Sequence, residues 1–187
     1  MNLFSTIWLN IFEVVLITVA GFILAFWYVR SRVVEKKQLG TSFLRYFQGL
    51  FPIGVMFFGI YVILTFNHAI GSLVMVLSTF IYIVSSITSS VDRYDSVHRA
   101  TILSLGYTRQ EYAIRYLFKN SLNSWIMATL NFFIAQSVAL IFIQSIAELK
   151  ISSFETDILY VSLILMVCGF ILSLAKRFDI LEIKGKE

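Results

Sequence analysis

Residues 48–90 read QGLFPIGVMFFGIYVILTFNHAIGSLVMVLSTFIYIVSSITSS, with no Asp, Glu, Lys or Arg between Gln48 and Ser90. A bilayer core is about 30 Å thick and takes about 20 helical residues, so at about 1.5 Å per residue this run is too long for one crossing. It divides into two helices at Asn67-His68, where Gly71 follows and the chain has its turn signal. Working outward from this pair, three more apolar stretches complete the pattern. The expected spans cover about 7–29, 47–66, 70–89, 125–146 and 158–175.

The composition agrees with a multi-pass membrane protein: 58% of the 187 residues are apolar and 14% are charged, against about 45–50% and about 25% in soluble domains. The chain reads as a single transmembrane domain over residues 1–187. Cys168 is the only cysteine and lies in an apolar stretch, which excludes a disulfide framework, a zinc module and a thiol-redox motif. The net charge of +4 is a matter of orientation in such a protein and requires no nucleic acid.

Charge placement predicts sidedness. Arg30, Arg32, Lys36, Lys37 and Arg45 lie between spans one and two. Arg93, Arg99, Arg109, Arg115 and Lys119 lie between spans three and four, and Lys176, Arg177, Lys184 and Lys186 follow span five. With five spans all three segments fall on one side, and since Lys and Arg accumulate on the cytoplasmic flank, the N-terminus is expected outside and the C-terminus inside. Only Lys150 is left over. No Lys or Arg precedes span one, so a secretory signal peptide with a basic start is not expected.

Residues 91–124 form the long cytoplasmic segment. A helix starting near Asp92 or Asp95 and running to Leu105 would end at Gly106, a residue suited to positive φ at the C′ position. Thr108-Arg109-Gln110-Glu111 has the spacing of a capping box opening a second helix. On that helix Glu111, Arg115 and Lys119 repeat every four residues, with Ile114, Leu117, Phe118, Leu122 and Trp125 opposite. Two readings stand: an interfacial helix under the headgroups, or a docking surface for a cytoplasmic partner.

The stretch from Ala100 to Thr108 resembles the cytoplasmic coupling loop of ABC-importer permeases, whose pattern is Glu-Ala-Ala, three residues, Gly. From about residue 6 to 178 the chain follows the polar amino-acid permease family. Gly49 followed by Pro52 is similar to its Gly-x-Pro at the start of span two, with one extra residue. Tyr82 falls at its third-span tyrosine, and Glu148-Leu149 at its Glu-Leu after span four. There are departures. The loop's Glu-Ala-Ala is Ala100-Thr101-Ile102, and its closing Leu-Pro is Phe118-Lys119. The Glu and Arg after the third-span tyrosine are Ser85 and Thr88, and Thr-Ser-Leu in span four is Val138-Ala139-Leu140.

The resemblance implies an all-α integral membrane permease with a cytoplasmic coupling helix, in a bacterial plasma membrane. It would be one half of a pair, in an importer of an amino acid or similar small polar solute. It implies an ATPase dimer docking on Ala100, Leu103, Leu105, Gly106, Tyr107 and Thr108, a second permease subunit completing a heterodimer, and an extracytoplasmic solute-binding protein. The chain itself would be no enzyme and hold no cofactor or metal. ATP and Mg would sit on the ATPase, since the only Gly-Lys here is Gly185-Lys186 and a P-loop is missing. The alternative is a non-transporting scaffold or regulatory subunit derived from a permease.

Polar residues within spans are functional candidates by default. Glu13, Ser85, Asn131 and Gln136 are the candidates for a substrate path. Their structural alternatives are an interfacial position for Glu13, packing for the Ser and Thr residues at the inner end of span three, and interhelical hydrogen bonds for Asn131, Gln136 and Gln144. His68 and His98 read as solvated and too isolated for a metal site or a catalytic triad, and the aromatic residues as lipid-facing bulk and interfacial anchors.

Overall fold

The computed structural model describes residues 3–35, 37, 39–149 and 153–184. Lys36, Lys150 and Lys186 of the basic residues assigned above lie outside them. Among the described residues the chain is helical throughout, without strands: α1 (Leu3–Val34), two short 3-10 turns (Leu39–Thr41 and Phe43–Tyr46), α2 (Leu50–Thr65), α3 (His68–Ser104), α4 (Arg109–Ala147) and α5 (Phe154–Lys184).

Four helices, α1, α3, α4 and α5, are long and apolar enough to cross a membrane. The expected second span falls on α2, which is apolar but has 16 residues, about 24 Å at the usual rise and short of a full hydrocarbon core. Its start is set by Gly49, whose φ of 67° is open to glycine, and by Pro52, which lacks an N–H to leave unpaired in the first turn.

The turn expected at Asn67 is present. Asn67 caps α3, its side-chain oxygen accepting the N–H groups of Ala69 at 2.9 Å and Ile70 at 3.4 Å. Beyond it the structure differs from the expectation of a span ending near Ser89 and a separate helix from Asp92 or Asp95: α3 runs unbroken for 37 residues. No Gly or Pro lies between Ser72 and Leu105, and a change from apolar to charged side chains does not interrupt i→i−4 backbone bonds. At about 55 Å, α3 is longer than a whole bilayer of about 40–45 Å.

The helices alternate in direction. Near one end of the bundle Glu13 of α1 meets His68 and Ser72 of α3, and Asn10 meets Gln144 of α4. At the other, the Leu39 N–H donates to Asp92 at 2.8 Å and the Gln48 N–H to Ser173 at 3.3 Å. The α1–α2 connection, the α3–α4 hairpin and the C-terminal part of α5 therefore emerge together, bringing the three basic segments to one end.

α2 is flanked by α3 and α5, while α1 and α4 pack on α3. Small residues allow the close approaches that substitute for a hydrophobic driving force between helices in lipid. A Cβ on Gly71 would lie 2.7 Å from the Gly59 carbonyl oxygen, and one on Gly169 2.7 Å from Phe51 Cα. The core has one cluster toward the basic end around Tyr112, Leu117 and Trp125, and a second around Val14, Met75, Phe132 and Leu140. Phe12, Leu16, Val19, Ile23 and Trp27 form an exposed stripe along α1, the surface expected to meet lipid. Trp125 departs from the lipid-facing expectation. It is buried edge-on against Phe22 at 5.5 Å, and its indole N–H donates to Ser121 at 3.2 Å, which gives the polar end of the ring a partner inside the bundle.

Candidate functional site: the α3–α4 hairpin and the buried polar residues

The hairpin follows from its local sequence. Gly106 has φ of 90° and nothing within 4 Å of the position a Cβ would take, so only its backbone conformation requires glycine. The Thr108 N–H donates to the Glu111 carboxylate at 3.0 Å, and the Glu111 N–H donates to the Thr108 hydroxyl at 3.3 Å, the reciprocal capping box expected from the spacing. The Thr108 backbone N–H, and after it the Thr108 hydroxyl donating to the same carboxylate at 2.9 Å, hold the Glu111 pKa below the ordinary carboxylate value.

Of the six residues assigned to docking, Ala100, Leu105, Gly106 and Thr108 are exposed. Leu105 is 71% exposed, a large apolar side chain at the hairpin tip. Leu103 and Tyr107 are half-buried and pack on the core cluster, Tyr107 edge-on to Tyr116 at 4.9 Å. They shape the tip from beneath, and Ile102, one of the positions where the permease pattern has alanine, is buried.

Tyr112–Phe118 at the start of α4 is a π-helical segment. Its i→i+5 bonding widens the turn and places Tyr112 and Leu117, five apart, on the inner face together. The α-periodic expectation therefore changes at its N-terminal part: Leu117 and Trp125 are buried, whereas Ile114 and Leu122 are exposed.

The segment is held by a cluster for which the sequence offered no pairing signal beyond the i, i+4 spacing of Asp95 and Arg99. The Asp95 carboxylate, 6% exposed, takes the Tyr112 O–H at 3.0 Å and the Arg99 guanidinium at 3.0 Å. Arg99 also donates to the Val33 carbonyl at the end of α1 at 3.1 Å. Burial raises the Asp95 pKa above the usual carboxylate value against the opposing effect of Tyr112 and Arg99, and burial beside Asp95 likewise raises that of Tyr112.

The four substrate-path candidates do not converge on one cavity. Gln136 is fully buried, donating to Thr79 at 3.0 Å and to the Met75 carbonyl at 3.3 Å, with Thr18 at 3.4 Å on its other side. It ties α4 to α3 and α1. Asn131 is exposed on α4, and the Ser85 hydroxyl returns to the Tyr82 carbonyl of its own helix at 3.0 Å. Glu13 is half-buried, accepting from Ser72 at 2.8 Å and facing His68 Nε2 at 3.2 Å. His68 is thus partnered across 55 residues of chain while staying exposed at the turn, as expected. His98 stacks on Tyr94 with ring centroids 4.2 Å apart. Val138 and Ala139 line an apolar crevice of about 650 Å³ that extends to Ile53, Phe57 and Ile158. Among the described residues, no group of His, Cys, Asp and Glu has the arrangement of a metal site.

No family model, curated protein or solved structure matches this chain.

Proposed function

We propose that the chain is a transmembrane subunit of an ATP-driven importer of the ABC type, moving an amino acid or similar small polar solute. In this reading α2 is the second of five spans, with the bilayer thinned locally to match its short length. The basic end of the bundle is cytoplasmic and the N-terminus is outside, in a bacterial plasma membrane. The observation that carries the reading is the hairpin. A glycine turn with an exposed leucine joins two long helices without a flexible joint, and the Asp95–Arg99–Tyr112 cluster ties it to α1. A force applied at Leu105 by a separate ATPase is transmitted along α3 and α4 as rigid elements, the coupling that alternating access needs.

The second reading, a non-transporting scaffold derived from a permease, draws support from the interior. Gln136 is sealed, Leu140 is buried in the core, and Val138 and Ala139 present apolar surface to the crevice. A polar solute without partners loses several kcal/mol on desolvation. We therefore place the solute's polar contacts on a second, different permease subunit, with an extracytoplasmic binding protein delivering solute to the outer end. Purification of the tagged chain from its native membrane separates the readings. Recovery of an ATPase and a second permease-like chain with solute-stimulated hydrolysis supports the importer. An ATPase-free preparation, or full transport by two copies of this chain with an ATPase and no other membrane subunit, refutes the heterodimeric importer.

A further inference from the structure

A polar cleft of about 630 Å³ opens between α3 and α4 near the basic end of the bundle, with Ser89, Arg93 and His98 on one side and Asn120 and Ser124 on the other. Charge is segregated around this part of α3. Asp92, Asp95 and Arg99 contact α1, the connection after it or the π segment, whereas Arg93 and His98 face the cleft. Among the described residues no side chain pairs with Arg93, and no carboxylate lines the cleft. The two walls are already tied together: Asn120 donates to the Tyr94 hydroxyl at 2.9 Å, Tyr94 stacks on His98, and His98 Nδ1 lies 3.1 Å from the Tyr94 carbonyl. An unpaired guanidinium among hydroxyl and amide donors is the chemistry that binds a phosphate, where Arg offers two parallel N–H donors.

The position of the cleft decides which phosphate. Ser89 and Ser90 lie at the end of the charge-free run, which stops before Asp92, so the cleft straddles the level where apolar surface gives way to charge. One turn along α4 from Ser124, Met127 is 52% exposed and continues the same face as apolar surface. A ligand that fits carries an anionic phosphodiester at the rim and acyl chains along the helix. We propose that the α3–α4 cleft binds the headgroup of an anionic phospholipid, with Arg93 as its principal phosphate contact. This holds for a transporter and for a scaffold alike, since neither solute nor ATPase enters the argument.

The test uses the purified full chain in detergent with added phosphatidylglycerol or phosphatidylcholine, counting retained lipid by native mass spectrometry. Arg93→Ala is compared with Arg115→Ala, which removes the same charge from an exposed position outside the cleft. A basic side chain near an anionic lipid surface contributes about 1 kcal/mol, so Arg93→Ala is expected to weaken phosphatidylglycerol retention about fivefold. Arg115→Ala should leave it nearly unchanged, and phosphatidylcholine should be retained poorly by all three proteins. Equal losses in the two variants, no loss in Arg93→Ala, or equal retention of phosphatidylcholine would overturn the proposal. Full displacement of the lipid by glycerol 1-phosphate at matched concentration would also overturn it, because the site would then serve a soluble phosphate.

Discussion

The Tyr112 hydroxyl donates to the Asp95 carboxylate at 3.0 Å from a π-helical turn, with the donor ring 1% exposed and the acceptor 6% exposed. This bond joins α4 to α3 below the hairpin, and Arg99 extends it to the end of α1. Tyr112→Phe leaves Asp95 its Arg99 partner and is expected to cost about 1–2 kcal/mol. Asp95→Ala strands both the tyrosine hydroxyl and part of the guanidinium and should cost more, about 2–3 kcal/mol. Thermal unfolding of the purified proteins in one detergent measures the order, and equal midpoints for wild type and both variants would refute it.

Acid acts on the hairpin with two opposite signs. Burial raises the Asp95 pKa from its ordinary 3.8, so the native state holds this proton more tightly than the unfolded chain. Its contribution to stability falls as pH rises from the ordinary value through the raised one and recovers on acidification. Thr108 lowers the Glu111 pKa from 4.5, so the capping-box contribution is present above that value and is lost as pH falls through the lowered one. As pH falls through the carboxylate range, Glu111→Gln is therefore expected to make the acid-side loss of stability shallower than in wild type. Asp95→Asn should make it steeper. Unfolding midpoints across the range read both slopes.

At the tip, Gly106→Val places a β-branched residue at φ of 90°, where an L side chain costs about 1–2 kcal/mol. With open space around the Cβ position, the effect is confined to the turn. Gly106→Val is expected to insert normally and to uncouple ATP hydrolysis from uptake, and Leu105→Asp to abolish ATPase association. Survival of both association and solute-stimulated hydrolysis in the two variants would remove the hairpin from the coupling role.

Gln136 is sealed and its hydrogen bonds are internal. Interhelical bonds of this kind are worth about 0.6 kcal/mol each, so Gln136→Ala is expected to lower thermal stability by about 1–2 kcal/mol. Uptake affinity should change less than about tenfold, or about 1.4 kcal/mol. Asn131→Ala is expected to leave affinity within the same limit. A larger shift in uptake affinity with unchanged stability would place the side chain in the solute path.

Sidedness has its own check. A reporter fused after Glu187 or inserted at Lys37 is expected to read cytoplasmic, and one inserted at Ser153 external. An external signal at Lys37 would end the five-span topology, because the positive segments would then face opposite sides.

What could be read from the sequence is what lies within a turn or two of helix. The charge-free run 48–90 and its break at Asn67 set a helical pair, since apolar length and one capping side chain are local quantities. Gly106 and the Thr108–Glu111 box fixed the hairpin for the same reason: each bond spans three residues. Periodicity was less reliable at Tyr112–Phe118, where the i→i+5 pattern serves the buried Tyr112–Asp95 contact and turns Ile114 and Leu122 outward. The continuity of α3 past Ser89 is not legible in the sequence because polarity, unlike Gly or Pro, marks a solvent boundary rather than a break in backbone bonding.

Only the tertiary structure decided the partners. His68 meets Glu13, Gln136 meets Thr79 and Met75, Arg99 meets Val33, and Trp125 turns inward against Phe22. These pairs are separated by tens of residues or more, so they depend on how each helix is rotated about its axis and where two helices cross. Several α-helical faces here are apolar enough to serve as either core or lipid surface. The choice between them was made by close contacts such as Gly59 against Gly71 and Gly169 against Phe51, whose geometry arises only when the helices pack together.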